Sequence, residues 1–85
     1  MATRTVATAA ARRLGRLKAE HTAFFLCDIQ ERFRTGIYGF ESLAKAADKM
    51  SRFSDIAGIP LIVTEQYPKG LGKTAKEISI GHAAL

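Results

Sequence analysis

Tryptophan is missing from these 85 residues, cysteine occurs once and proline twice. A lone Cys27 excludes an internal disulfide and a thiolate metal cluster, which suits a reducing compartment. His21 and His82 are isolated and have no metal-ligand spacing, so no metal is expected, and nothing in the chain asks for a cofactor. No apolar run approaches the ~20 residues that cross a bilayer, so a membrane is not an expected partner.

Acidic residues are nearly missing from the first twenty positions. The arm "MATRTVATAAARRLGRLKAE", residues 1–20, holds Arg4, Arg12, Arg13, Arg16 and Lys18 against Glu20 alone, and so carries +4 of the chain's net +5. Residues 21–85 are close to neutral. An Arg-rich, acid-poor start is the pattern of a mitochondrial transit peptide. The plainer alternative is a flexible leader whose "LGRL" docks on the domain edge, which goes with a cytoplasmic location. Surfaces that bind nucleic acid interleave basic and aromatic groups on a folded face, and the arm has no aromatic residue. Nucleic acid is therefore not expected as a partner either.

What is present is enough apolar material to fold, since 47% of the chain is hydrophobic. The length allows one small domain. "TAFFLC", residues 22–27, is a short apolar run of the kind buried on both faces of a parallel sheet. Residues 29–34 read as a turn or two of helix, broken by Gly36 and Gly39. From 40 to 57, Phe40, Leu43, Ala47, Met50, Phe53 (or Ser54) and Ala57 recur at helical spacing, with charged residues between them. Gly58 and Pro60 supply the stop. Leu61, Ile62 and Val63 begin a second strand, Pro60 being tolerable at its start. Strand, helix and strand make a βαβ unit with parallel strands. A polar Gly/Pro loop, 65–77, follows, and "ISIGHAAL" opens like another strand.

In open parallel sheets, ligands occupy the crevice outside the carboxyl ends of the strands. Asp28 and Gln30 follow the first run there, and Glu65 and Gln66 the second. The residues alone leave Asp28 two readings, an N-cap for the helix at 29–34 or a chemical group at the crevice. Glu65 reads as a solvated loop carboxylate or a partner for a loop lysine. Cys27 reads as a small buried apolar residue. Successive strand side chains point to opposite faces, so Asp28 cannot easily act as its base. "KGLGKT", residues 69–74, tests as a phosphate-binding loop and fails. The glycine required five positions before Gly72 is Tyr67, and Pro68 after it has no N–H.

"AFFLCDIQERFR" (residues 23–34) and "VTEQYPKGLGKT" (residues 63–74), in this order and separation, resemble the opening of isochorismatase-domain proteins. The resemblance covers residues 14 to about 82, so the domain is read as 21–85, the N-terminal part of a truncated hydrolase domain. It implies a three-layer α/β/α sandwich around a parallel sheet, of which this chain supplies the first βαβ part. Hydrolases of this superfamily use an Asp–Lys–Cys triad. Asp28 matches the aspartate, the general base that takes a proton from the cysteine thiol. By the same resemblance Gln30, Phe33 and Gln66 approach the pocket of a small-molecule substrate. The triad's lysine and cysteine fall beyond residue 85, and Lys69, Lys73 and Lys76 match the loop motif instead. Some members lack the cysteine and cleave a vinyl ether, so the reaction class of a complete protein stays open. Three functions are carried forward: a hydrolase portion, inactive as it stands; a non-catalytic remnant that associates with other chains, copies of itself included, through its sheet edge; and a nucleotide-binding module at residues 69–74.

Overall fold

Two four-residue runs of aromatic, aliphatic and β-branched side chains are natural strands, and they pair with each other. The computed structural model describes residues 16–84, in which Phe24–Cys27 (β1) and Leu61–Thr64 (β2) form a two-stranded parallel sheet. Phe24 lies opposite Leu61, Phe25 opposite Ile62, Leu26 opposite Val63 and Cys27 opposite Thr64. Parallel strands need a long crossover, which Phe40–Ala57 (α1) provides. A single turn, Pro68–Leu71 (α2), and 3-10 turns at Ala19–His21 and Glu31–Thr35 complete the elements. The βαβ reading holds. Residues 1–15 of the arm, and with them the transit-peptide expectation, lie outside the described residues.

The α1 sequence "FESLAKAADKMSRFSDIA" is rich in good helix formers and has one β-branched residue, Ile56. Gly58 ends it at φ 71, a left-handed conformation that a side chain would strain. The Ile59 N–H reaches back to the Ser54 carbonyl at 2.8 Å, the six-to-one bond of a Schellman stop.

The buried face of α1 is rotated from the stripe expected. Phe40, Ala44, Ser51 and Ser54 are buried and Ala47 packs partly against them, while Leu43 is 39% exposed, Met50 52% and Phe53 50%. Small side chains win the inner face because the helix lies close on Leu26 and Leu61. The larger ones flank it, Phe53 stacking on Phe24 with ring centroids 6.2 Å apart.

A second correction concerns the sheet. Only the face of β1 carrying Phe24 and Leu26 is covered, and Phe25, on the other face, is 63% exposed. Cys27 shares that open face and is exposed, not buried as the sequence suggested. Among the described residues nothing packs over it.

"ISIGHAAL" forms no strand over its described residues, 78–84. It runs along α1 as a strap. The Ser79 N–H donates to Asp48 at 2.8 Å, the Ser51 hydroxyl donates to the Ser79 carbonyl, and His82 Nε2 meets Ser54 Oγ at 3.0 Å. The Ala84 N–H then reaches the Leu61 carbonyl at 2.8 Å, on the edge of β2 away from β1. Ile80 and Ala83 pack against the core beside Val63.

The rotation of α1 gives opposite mutational signatures at adjacent positions. Ala44→Leu should destabilise the fold by about 1–3 kcal/mol through overpacking. Leu43→Ala should cost about 1 kcal/mol or less, since its side chain is already partly in water. Urea denaturation of both variants checks this, and a larger loss at Leu43 would restore the original stripe.

Candidate functional site

The chain leaves β1 through a strained residue. Asp28 has φ 55, and it and Tyr67 are the two non-glycine residues at positive φ among those described. Such conformations cost of order 1–3 kcal/mol and persist where the surroundings fix them. Here β2 does the fixing. The Asp28 N–H donates to the Thr64 carbonyl at 3.1 Å, and the Thr64 hydroxyl donates to Asp28 Oδ1 at 2.9 Å. Thr64 ends β2 opposite Cys27, so the parallel register delivers it to the aspartate.

That geometry removes the cap reading of Asp28. The 3-10 turn starts at Glu31 with Gln30 in the cap position and no side-chain cap bond. The Asp28 carboxylate spans the strand ends instead. Its Oδ2 takes no hydrogen bond among the described residues, and the residue is partly exposed at the crevice.

Gln30 is fully buried, and its side chain faces the protein. Nε2 donates to the Gln66 carbonyl at 3.0 Å and to the Gly72 carbonyl at 2.7 Å, and Oε1 accepts from the Gln66 N–H at 2.8 Å. An isolated antiparallel bridge joins Gln30 to Thr74. The amide is a clamp that closes loop 66–74 over the strand ends, with no buried side-chain donor or acceptor left unsatisfied among the described residues. Gln66 takes part through its backbone and is exposed; Phe33 is partly buried, packed against the core.

The loop carboxylate found a different partner from the lysine considered above. Glu65 Oε2 accepts from the Thr74 N–H at 2.6 Å and from its hydroxyl at 2.8 Å. The Thr74 amide, then its hydroxyl, hold the Glu65 carboxyl below its ordinary range. These bonds also remove the hydroxyl that a phosphate loop would give to a metal. The Gly70 and Leu71 amides turn back to the Tyr67 carbonyl and the Gly72 amide to that of Pro68, so these three N–H groups face no ligand.

Beside the clamp, Arg34 gathers two carboxylates. It donates to Glu31 at 2.9 Å and to Glu77 at 2.7 Å, with its guanidinium 5.1 Å from the centre of the Phe40 ring. Its hydrogen bonds hold the Glu77 carboxyl down at about 2. Glu31 is lowered first by the Lys76 N–H and then by Arg34.

Thr64 was not singled out in the sequence, and Gly72 and Thr74 entered it only through the failed phosphate-loop motif. Aligning residues 24–27 with 61–64 would have put Thr64 beside Asp28; no signal gives the other two their roles here. Among the described residues, no three His, Cys, Asp or Glu side chains gather as metal ligands, and no helix is long and apolar enough to cross a membrane.

No family model matches the chain. Curated relatives do. Isochorismatase domain-containing protein 1 of Salmo salar is 46% identical over 72 residues, 85% of this chain and 25% of that protein. Isochorismatase domain-containing protein 2A of Mus musculus is 42% identical over 65 residues, 76% of this chain and 32% of that one. Among solved structures, the MAR1 ribonuclease from Caenorhabditis elegans superposes with TM-score 0.76 and 39% identity, over 81% of this chain and 36% of that chain. The matched region of this chain belongs to the isochorismatase family. The chain spans about a quarter to a third of the length of these curated relatives. The isochorismatase-type α/β fold accounts for the parallel pair, and the resemblance read from residues 23–34 and 63–74 points to the same family as these relatives.

The Arg34 cluster makes acid stability a readout of this region. Glutamates ordinarily titrate near 4.5, and Glu31 and Glu77 are both depressed in the folded chain. A depressed carboxyl contributes stability that is complete above the ordinary value and is lost as pH falls through the folded one. The urea midpoint should therefore drop from pH 4.5 down towards about 2. Arg34→Met should flatten that drop, and an unchanged pH profile in the variant would contradict the pairing.

Proposed function

We propose that this chain supplies the proton-accepting side of an isochorismatase-type hydrolase site, with Asp28 as its general base. The observation that carries the reading is the strained Asp28 at the carboxyl end of β1, its carboxylate held through one oxygen by Thr64 and open at the other. A carboxylate so held is oriented without being consumed. In the family's chemistry it would accept the proton of a cysteine thiol, whose thiolate attacks the substrate carbon. An adjacent lysine would favour that thiolate. Neither partner is found at a matching position in these 85 residues, so residues 1–85 alone are proposed to be inactive. Cys27 is not proposed as the nucleophile, because it directly precedes Asp28 in the chain, whereas the family's cysteine is expected at the end of a later strand. The pocket roles of Gln30, Phe33 and Gln66 are proposed in a modified form: Gln30 shapes the wall by fixing the loop, and the Gln66 side chain faces outward.

A second reading keeps the crevice and changes what enters it. The nematode neighbour is a ribonuclease by name, and the crevice rim of this chain carries exposed Arg32, Lys69, Lys73 and Lys76. Those cations favour an RNA substrate over a neutral amide.

Asp28→Asn separates charge from shape, because Asn also tolerates the left-handed conformation. In a chimera joining residues 1–85 to the remaining portion of a family relative, the substitution should lower turnover by about 10²-fold or more, with little change in melting temperature. Near-normal turnover of the variant would remove Asp28 from the chemistry. Hydrolysis of simple amides by residues 1–85 alone would do the same for the proposed inactivity.

A further inference from the structure

We propose that the 3-10 turn Glu31–Thr35 and the loop 67–76 form a binding surface for single-stranded RNA, with Tyr67 as a stacking platform and Arg32, Lys69, Lys73 and Lys76 as phosphate contacts. The proposal rests on the RNA reading above and says where such a strand would lie.

The charges come first. Glu31 in the turn, and Glu65 and Glu77 at either side of the loop, are each already engaged. Glu31 and Glu77 accept from Arg34, and Glu65 accepts from Thr74. Arg34 is consumed in the same bonds. Arg32, Lys69, Lys73 and Lys76 remain exposed, with no ion pair among the described residues. Glu31 ties the turn to the loop: its N–H donates to the Lys73 carbonyl at 2.9 Å, and its Oε2 accepts from the Lys76 N–H at 2.8 Å. Arg32 and Lys69 line one depression of about 310 Å³ with Glu31, Gly70, Leu71 and Gly72. The region thus keeps a net positive charge, Arg34 and the four exposed cations against three carboxylates giving 5 − 3 = +2.

The aromatic group comes second. Tyr67 is 69% exposed at φ 42, and its ring lies so close over Gly70 that a side chain there would collide with it. An exposed ring on a loop that also carries Lys69, Lys73 and Lys76 offers a face to an unpaired base while cations contact the backbone. A lone small anion would need convergent donors, and the Gly70, Leu71 and Gly72 amides are turned inward. The absence of aromatics that spoke against nucleic acid applies to the arm, not to this loop.

Equilibrium binding of fluorescein-labelled oligouridine of about ten nucleotides to the whole 85-residue chain tests this by fluorescence anisotropy across a salt series. Lys69→Ala with Lys73→Ala should weaken binding at least about tenfold and lower the salt slope by about one to two. Tyr67→Ala should weaken binding with the slope unchanged, since stacking releases no counterions. Lys45→Ala with Lys49→Ala, an equal charge loss on α1, should leave binding intact. Circular dichroism of each variant reports the fold. Loss of binding in Arg12→Ala with Arg13→Ala, with the loop variants unaffected, would overturn the surface while sparing the RNA reading. No binding by the unaltered chain at low salt would overturn both. Equal competition by heparin, with Tyr67→Ala silent, would reduce the surface to a general polyanion patch and overturn the stacking claim.

Discussion

Parallel pairing of β1 with β2 is the constraint on which everything else depends. Two parallel strands cannot be closed by a tight turn, so the chain must travel the length of α1 before it can pair. The return places both carboxyl ends at one edge, and residues far apart in sequence become neighbours there. Asp28 meets Thr64 across 36 positions, and Gln30 meets Gln66 across the same interval. One register sets both contacts, and a slip of one residue would turn Thr64 to the opposite face.

A single buried amide then carries that order outward. Gln30 has lost all contact with water, so its donors and acceptor must be met inside the protein. The bonds to Gln66 and Gly72 meet them, and they fix a loop that has only one helical turn of its own. Gly72 can approach because it has no side chain; a Cβ there would come within 3.2 Å of the Glu31 Cβ. Tyr67 and Asp28 carry the strain of this closure, one in the loop and one at the strand end. Among the described non-glycine residues, these two are the ones at positive φ.

The elements were legible because each followed from local pattern. Helical spacing bounded by Gly58 marked α1, and two short apolar runs marked the strands. Their separation implied a crossover, and Asp28 stood out as the carboxylate that ends one of them. What stayed hidden depends on close packing. Ala44 and Ser51 take the inner face of α1 in place of Leu43 and Met50, since distance to the sheet, not hydrophobicity, selects them. Gln30 looked like a pocket residue because a glutamine is polar, yet its burial is repaid by partners in a loop that sequence alone does not fold. Cys27 looked buried because its run is apolar, although half of that strand faces outward. The 78–84 segment looked like a strand and is tied down as a strap by side-chain bonds from α1.

Amide hydrogen exchange measured residue by residue tests the organising register most directly. Phe24 and Asp28 donate toward β2, so the odd positions between them turn to the free edge. The account predicts slow exchange at Phe24, Leu26, Asp28 and Gln66, and fast exchange at Phe25 and Cys27. Protection of Phe25 and Cys27 equal to that of their neighbours, or fast exchange at Gln66, would contradict the parallel register and the clamp built on it.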